Sequence, residues 1–305
     1  MEGPGCPVCV TSTADLDLAV RLAQEGAIVC TFGDMMRVPG TELSLSEARA
    51  EGADVRTVLS AADAVEVARQ NPKREVVFFA VGFETTAPGT AAVLLDSPPK
   101  NFSVLCTHKL IPPALSALMG LPDVRIDGFL APGHVSTVIG WRAYEPIARE
   151  FRVPIVVGGF EPLDVLYSIA LILRQLREGR AEAENAYVRA VLPQGNTRAQ
   201  ELMARAFEPS DARWRGIGTI PKSGLAIREE LSPWDATRKF GVQGELGAEI
   251  VPGCRCADIL VARAVPTDCS LFGEACTPLS PVGPCMVGAE GACHVWYRYG
   301  GRPKL

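Results

Sequence analysis

Residues 76–88 read VVFFAVGFETTAP, and residues 154–165 read PIVVGGFEPLDV. Both open with a short apolar run, pass through glycine into Phe-Glu, and continue into a helical pattern. A strand that is apolar at successive positions, rather than alternate ones, has both faces covered, as in a parallel sheet clothed by helices. These segments therefore assign the chain to the α/β class. Outward from them the pattern repeats, with strands predicted at 27–31, 55–59, 75–81, 102–107, 126–131 and 154–157. Helices are predicted at 15–24, 61–70, 88–95, 112–119, 136–150 and 163–178, the fifth of them broken or kinked at Pro146. In the first helix Leu16, Ala19, Val20 and Ala23 share a face, Ser12 or Thr13 can cap it, and Gly26 stops it. Two lobes related by duplication would produce the shared strand, Gly-Phe-Glu and helix start; coincidence over three residues would as well.

The 305 residues are 48% hydrophobic and 21% charged, which excludes disordered and fibrous classes. A net charge of −5 argues against a nucleic-acid or acidic-membrane partner. No apolar run reaches the roughly 18 residues needed to span a bilayer. The opening MEGPGCPVCV does not read as a signal peptide, so a cytoplasmic location is expected. Ten cysteines in a reducing compartment point to metal binding or thiol redox chemistry rather than a disulfide framework. The stretch Asn71-Pro72-Lys73-Arg74 reads as a hinge into a second lobe. From about Glu208 the Pro- and Gly-rich chain leads into a cysteine-rich end.

Polar residues gather where the predicted strands end. Asp34, the Glu84-Thr85-Thr86 triplet, His108, His134 and Glu161 each stand at a carboxyl end, the edge at which open α/β sheets bind ligands. Two of the three histidines in the chain are among them. Together they predict a cleft lined by acid, hydroxyl and imidazole. The plainer reading is that Thr85 or Thr86 caps the next helix, with Glu84 near its dipole, and that His108 is a satisfied structural residue.

Cys6-Pro-Val-Cys9 is a C-x-x-C pair, able to form a short disulfide, act in redox chemistry or hold a metal transiently. Cys30 and Cys106 fall inside predicted strands and read as core. Cys254, Cys256, Cys269, Cys276, Cys285 and Cys293 crowd into the end of the chain. An iron–sulfur cluster on four thiolates with two left over, or two zinc ions sharing six, both answer to that number.

The motifs as a set resemble the hydrogenase maturation HypD family. The resemblance rests on Gly3-Pro4-Gly5-Cys6-Pro7-Val8-Cys9, on residues 31–40 (TFGDMMRVPG) and on Gly82-Phe83-Glu84-Thr85-Thr86. It continues through His108-Lys109-Leu110, Pro132-Gly133-His134-Val135-Ser136, Cys276-Thr277-Pro278 and Cys285-Met286-Val287. It implies two similar parallel-sheet α/β lobes plus a small cysteine-rich iron–sulfur domain. The expected divisions are 1–71, 72–207 and 208–305. It also implies a redox-active scaffold on which the Fe(CN)2CO group of [NiFe]-hydrogenases is built. A HypC-like chaperone and a HypE-like cyanide donor would be its partners, with the hydrogenase large subunit served indirectly. Carried over residue by residue, Cys254, Cys269, Cys276 and Cys293 are expected to hold a [4Fe–4S] cluster. Cys256 and Cys285 are then the redox pair, in an arrangement similar to ferredoxin:thioredoxin reductase, passing electrons on to Cys6 and Cys9. Those two are expected near a transient iron carrying CN and CO, with Glu84, Thr85, Thr86, His108 and His134 around it.

Family members carry, ahead of this first motif, a Cys-Gly-x-His segment whose cysteine is thought to hold the iron. This sequence opens with Met1-Glu2 directly at Gly3. The expectation is a first lobe incomplete at its N-terminus, through truncation or a late start codon, with an inactive fragment as the other reading. Ser12 stands where the family usually has proline. A cluster-dependent thiol–disulfide reductase is the alternative function. Conventional turnover is not indicated, since the sequence holds no Walker loop, G-x-S-x-G or G-x-G-x-x-G.

Overall fold

A computed structural model describes residues 5–124, 126–242, 249 and 251–300. Gly3 and Pro4 of the first motif lie outside them. The first sheet is built from β1 (Ile28–Thr31), β2 (Val55–Thr57), β3 (Val76–Ala80) and β4 (Phe102–Cys106). All four are parallel, in the order β2-β1-β3-β4. Alternation sends Ile28, Cys30, Val76 and Phe78 to one face, against helices Ala61–Gln70 and Ala87–Leu95. Val29, Val77 and Phe79 go to the other, against Leu16 and Leu22 of helix Thr13–Gln24 and Leu45 of helix Leu45–Ala50. Both faces are dry at β1, β3 and β4, which is why those strands read as nearly unbroken apolar runs, while β2 (VRT) at the edge leaves Thr57 exposed.

The turn at Asn71-Pro72-Lys73-Arg74 lies inside this sheet and not between lobes. It joins helix Ala61–Gln70 to β3, and β3 pairs directly with β1, Ile28 opposite Val76. A break there would part hydrogen-bonded neighbours.

The second sheet contains β5 (Phe129–Pro132), β6 (Ile155–Gly158) and β7 (Ala183–Asn185), parallel and in that order. The segment expected as one helix over 136–150 breaks at Gly140, not at Pro146. Gly140 has φ +80°, and a Cβ there would run into the Pro193 carbonyl. Helix Gly133–Ile139 ends at it. Pro146 sits in the first turn of helix Glu145–Phe151, where its missing N–H leaves no bond unmade.

The chain then returns to the first lobe. Helix Thr197–Ala206 packs on helix Ala87–Leu95. It feeds an antiparallel hairpin of β8 (Phe207–Trp214) and β9 (Gly218–Ile227), with a bulge between Ser210 and Ala212. β9 is stitched to the exit of β4: Leu110 N–H donates to Ser223 O at 2.8 Å, and Leu225 N–H to His108 O at 3.3 Å. The last segment carries helices Cys256–Leu260 and Ala292–Tyr299 with short 3-10 turns between them. One continuous core runs from Cys9 and Leu16 through Trp214 to Cys256, Met286 and Cys293. Among the described residues, no helix is long and apolar enough to cross a membrane.

Candidate functional site

Proline at its first turn starts the four-residue helix Pro7–Val10, and Cys6 caps it, its Sγ accepting the Cys9 N–H at 3.2 Å. That turn brings the two cysteines to a Cα separation of 5.3 Å, and they are joined as a disulfide. Both are buried. Ser12 caps the following helix by accepting the Asp15 N–H at 3.1 Å, which proline there could not do.

At the other end of the chain, Cys256 Sγ and Cys285 Sγ lie 2.6 Å apart, buried. They act as a unit. The hydrogen bond from Cys285 draws Cys256 below the usual thiol range, against the effect of burial and with help from Arg215. The same bond, then burial, holds the Cys285 proton on well above it.

The remaining four cysteines of the segment, Cys254, Cys269, Cys276 and Cys293, line one small space with this pair. Its wall is apolar, including Ile259, Leu271, Phe272 and Met286. Burial pushes the Cys254 thiol up to about 11, and the neighbouring Cys256, Cys269 and Cys276 add to it. Burial likewise raises Cys293, with the same cysteines and Cys254 adding to it. Cys276 Sγ accepts the Val282 N–H at 3.3 Å. A Cβ on Gly283 would stand 2.6 Å from Cys254 Sγ, so the loop depends on glycine to come this close. Among the described residues, no three His, Cys, Asp or Glu side chains converge tightly enough to hold a single metal ion. Four thiols in a dry space are a donor set suited to a multi-iron group, because its positive charge would stabilise there the thiolates that burial alone disfavours. The residues fit such a group.

The two thiol pairs are neighbours. Cys9 Sγ lies 3.9 Å from Pro284 O, one residue before Cys285. Arg215, 2% exposed at the hairpin turn, donates its N–H to Val10 O at 2.9 Å and lines a space with Cys254 and Cys256. Nothing in the reading of the sequence singled it out. An arginine between Trp214 and Gly216 has the look of an exposed turn residue.

The polar strand ends are distributed differently from the single cleft expected. Glu84 is buried, and its Oε1 accepts the Ile111 N–H at 3.0 Å, so it caps helix Ile111–Met119 and not the helix that follows it. Among the described residues its other oxygen has no hydrogen-bond partner, and burial raises its pKa to about 7. Thr85 is exposed. Thr86 Oγ1 donates back to the Val81 and Phe83 carbonyls, both 3.3 Å away, and is 3.5 Å from His108 Nδ1. His108 Nε2 is 2.9 Å from Thr90 Oγ1, and burial lowers its pKa to about 4. Gly82, with φ +138°, permits this close turn. His134 is exposed and stacks on Phe160 with ring centroids 3.9 Å apart.

The Gly-Phe-Glu repeat thus serves opposite purposes. Phe83 is buried and stacks on Trp214 at 6.0 Å, while Phe160 is 56% exposed. Glu161 pairs at the surface with Arg189, 3.5 Å away. Lys109, next to His108, is buried over the Trp214 ring with Asp15 4.0 Å away.

Comparison with known proteins bears on these features. A family model described as "Hydrogenase formation hypA family", HypD, matches residues 1–300. "Hydrogenase maturation factor HypD" of Azotobacter vinelandii is 49% identical over 311 residues, covering 98% of this chain and 82% of that protein. The protein of the same name from Cupriavidus necator is 48% identical over 315 residues, with the same two coverages of 98% and 82%. That of Rhodobacter capsulatus is 47% identical over 309 residues, covering 99% and 82%.

Proposed function

The chain belongs to the HypD family of hydrogenase-maturation proteins, and from that membership we propose that it is a redox-active assembly scaffold working in the cytoplasm. Its substrate is the iron that becomes the Fe(CN)2CO group of a [NiFe]-hydrogenase. A HypC-like chaperone and a HypE-like cyanide donor are its partners, and the hydrogenase large subunit receives the product indirectly. One observation carries the reading: six C-terminal cysteines line a single apolar space, and Cys9 lies against the backbone beside one of them.

Cys254, Cys269, Cys276 and Cys293 would hold the [4Fe–4S] cluster, with Ile259, Leu271 and Phe272 excluding water from it. When bound, the cluster supplies single electrons. Cys256 and Cys285 exchange with the Cys6–Cys9 disulfide. A thiolate of the first pair attacks the disulfide, its partner closes a new Cys256–Cys285 bond, and Cys6 and Cys9 leave as thiols. Two electrons and two protons change hands. Only the reduced Cys6 and Cys9 offer thiolates able to grip the iron substrate. Burial of both also keeps ordinary protein disulfides away, which disfavours a general reductase.

Anaerobic purification with a HypC-like partner tests the reading. Iron and sulfide analysis of the protein purified without the partner should find four of each per chain, and Cys254→Ser or Cys276→Ser should lose most of both. Infrared spectra of the complex should carry cyanide and carbonyl bands. A colourless, iron-free protein recovered without oxygen would sink it.

A further inference from the structure

The loop 277–282, TPLSPV, continues the Cys276-Thr277-Pro278 motif, and the scaffold reading leaves it without a task. Pro278 and Pro281 carry no N–H, so the loop has few backbone donors to direct. Thr277 N–H donates to Ser280 O and Ser280 N–H to Thr277 O, both at 3.1 Å, which closes a tight turn. Arg37, from the TFGDMMRVPG motif of the first lobe, donates its Nη1–H to Pro278 O at 3.2 Å. Held in this way, the chain doubles back over its own start. The Val282 N–H then points at a sulfur, Cys276 Sγ, 3.3 Å away and six residues earlier. Cys276 is 5% exposed and lines its space with Leu271 and Phe272, so water competes little for that bond. Cys269 Sγ instead faces a carbonyl, Gly253 O at 3.7 Å, which offers a thiolate no donor.

We propose that Val282 is a positioning residue whose backbone N–H, acting through Cys276, raises the midpoint potential of the bound cluster. The proposal rests on reading Cys254, Cys269, Cys276 and Cys293 as the cluster's ligands. Reduction takes up one electron from a low-potential donor, breaks no bond and leaves the ligand sulfurs more negative. An N–H aimed at such a sulfur stabilises the more negative state and so favours reduction. The turn and the Arg37 contact fix the direction of this donor in advance, so no rearrangement is needed when the charge arrives. The side chain of Val282 takes no part.

The test reconstitutes the cluster without oxygen in wild type, Val282→Pro and Val282→Ala, and checks loading by iron and sulfide analysis. Each protein is titrated with dithionite in the presence of mediators, and the reduced cluster is counted by its electron paramagnetic resonance signal. Proline deletes the N–H and alanine keeps it. Val282→Pro should shift the equilibrium about tenfold toward the oxidised cluster, a fall of about 59 mV for a one-electron couple. Val282→Ala should shift it much less. A second measurement decides the matter if Val282→Pro binds no cluster. Wild type labelled only with nitrogen-15 valine should show a weakly coupled nitrogen-15 in pulsed resonance spectra of the reduced cluster. Val282→Ala, unlabelled at that position, should lose the coupling. An unchanged midpoint in loaded Val282→Pro overturns the proposal, as does an equal fall in Val282→Ala, which would make Val282 a packing residue. So does a labelled wild type without the coupling, or a coupling that survives in Val282→Ala. A wild type that takes up no iron and sulfide removes the cluster reading itself, a result distinct from a cluster that forms but ignores Val282.

Discussion

Cys9 and Pro284, 275 residues apart in sequence, meet at 3.9 Å between a sulfur and a carbonyl oxygen. The contact sets the N-terminal disulfide beside Cys285. Cys9→Ser should therefore stop exchange between the pairs yet leave Cys256 and Cys285 oxidisable by a small disulfide. Anaerobic trapping with an alkylating reagent, read by mass mapping, checks both halves. Loss of Cys256–Cys285 oxidation in this variant would contradict the separation of roles.

Gly283→Ala should empty the site without replacing any of the cysteines. The added Cβ falls 2.6 Å from Cys254 Sγ, and relieving such overpacking costs roughly 1–3 kcal/mol. Iron content after anaerobic reconstitution should drop well below wild type while the far-ultraviolet circular dichroism stays the same. Full loading would mean that the loop tolerates the methyl group.

Glu84 and His108 should oppose each other in the pH dependence of stability. Burial raises Glu84 to about 7, so the folded state binds its proton more tightly than the unfolded chain does, and stability falls as pH rises from about 4.5 to 7. Burial lowers His108 to about 4, so the unfolded chain binds that proton more tightly, and stability rises from about pH 4 to 6.5. Each amounts to about 3 kcal/mol across its window. Thermal melts of Glu84→Gln should show stability climbing with pH, and those of His108→Gln should show it falling. Parallel profiles for the two variants would refute the assignment.

Trp214→Ala should cost about 3–5 kcal/mol by denaturant unfolding. The ring is fully buried, stacks on Phe83, and donates its Nε1–H to Ser223 Oγ at 2.7 Å. A loss under 1 kcal/mol would show that the hairpin is not anchored through it.

Helix Pro162–Glu178 buries Asp164, Ser168 and Gln175 while Leu163, Leu166, Tyr167 and Leu173 face outward. Replacing Leu166 and Leu173 with glutamine should leave stability within about 0.5 kcal/mol per site. It should also raise the concentration at which the protein self-associates, measured by light scattering. A large destabilisation would mean that these side chains are packed and not exposed.

Unbroken apolar runs made the central strands β1, β3, β4 and β6 legible, because parallel strands covered on both faces leave that signature, and β2 and β5 were found beside them despite partial exposure. The hairpin β8–β9 was not: Phe207–Trp214 reads FEPSDARW, whose polar positions face water and carry no continuous run. β7 is three residues of intermediate burial, too short for any pattern. At the site, the cysteines announced themselves by number and position. Glu84, Thr86 and His108 were found at the right edge, but their partners were not foreseeable. Glu84 bonds Ile111 and His108 bonds Thr90 through contacts made only once β3 and β4 lie side by side. Arg215 was invisible because burial of a turn residue depends on three distant carbonyls.

The return of residues 197–227 onto the first sheet carries a consequence for synthesis. β4 is complete at Cys106, yet Ala206, Phe207 and Leu225, which cover one face of its sheet, follow about a hundred residues later. At roughly 5–20 residues per second on the ribosome, the nascent sheet waits on the order of ten seconds with that face covered only by helices Ala61–Gln70 and Ala87–Leu95 and its last apolar partners missing. During that interval the growing chain is a natural client for chaperones, and slowing translation between those points should lengthen its stay with them.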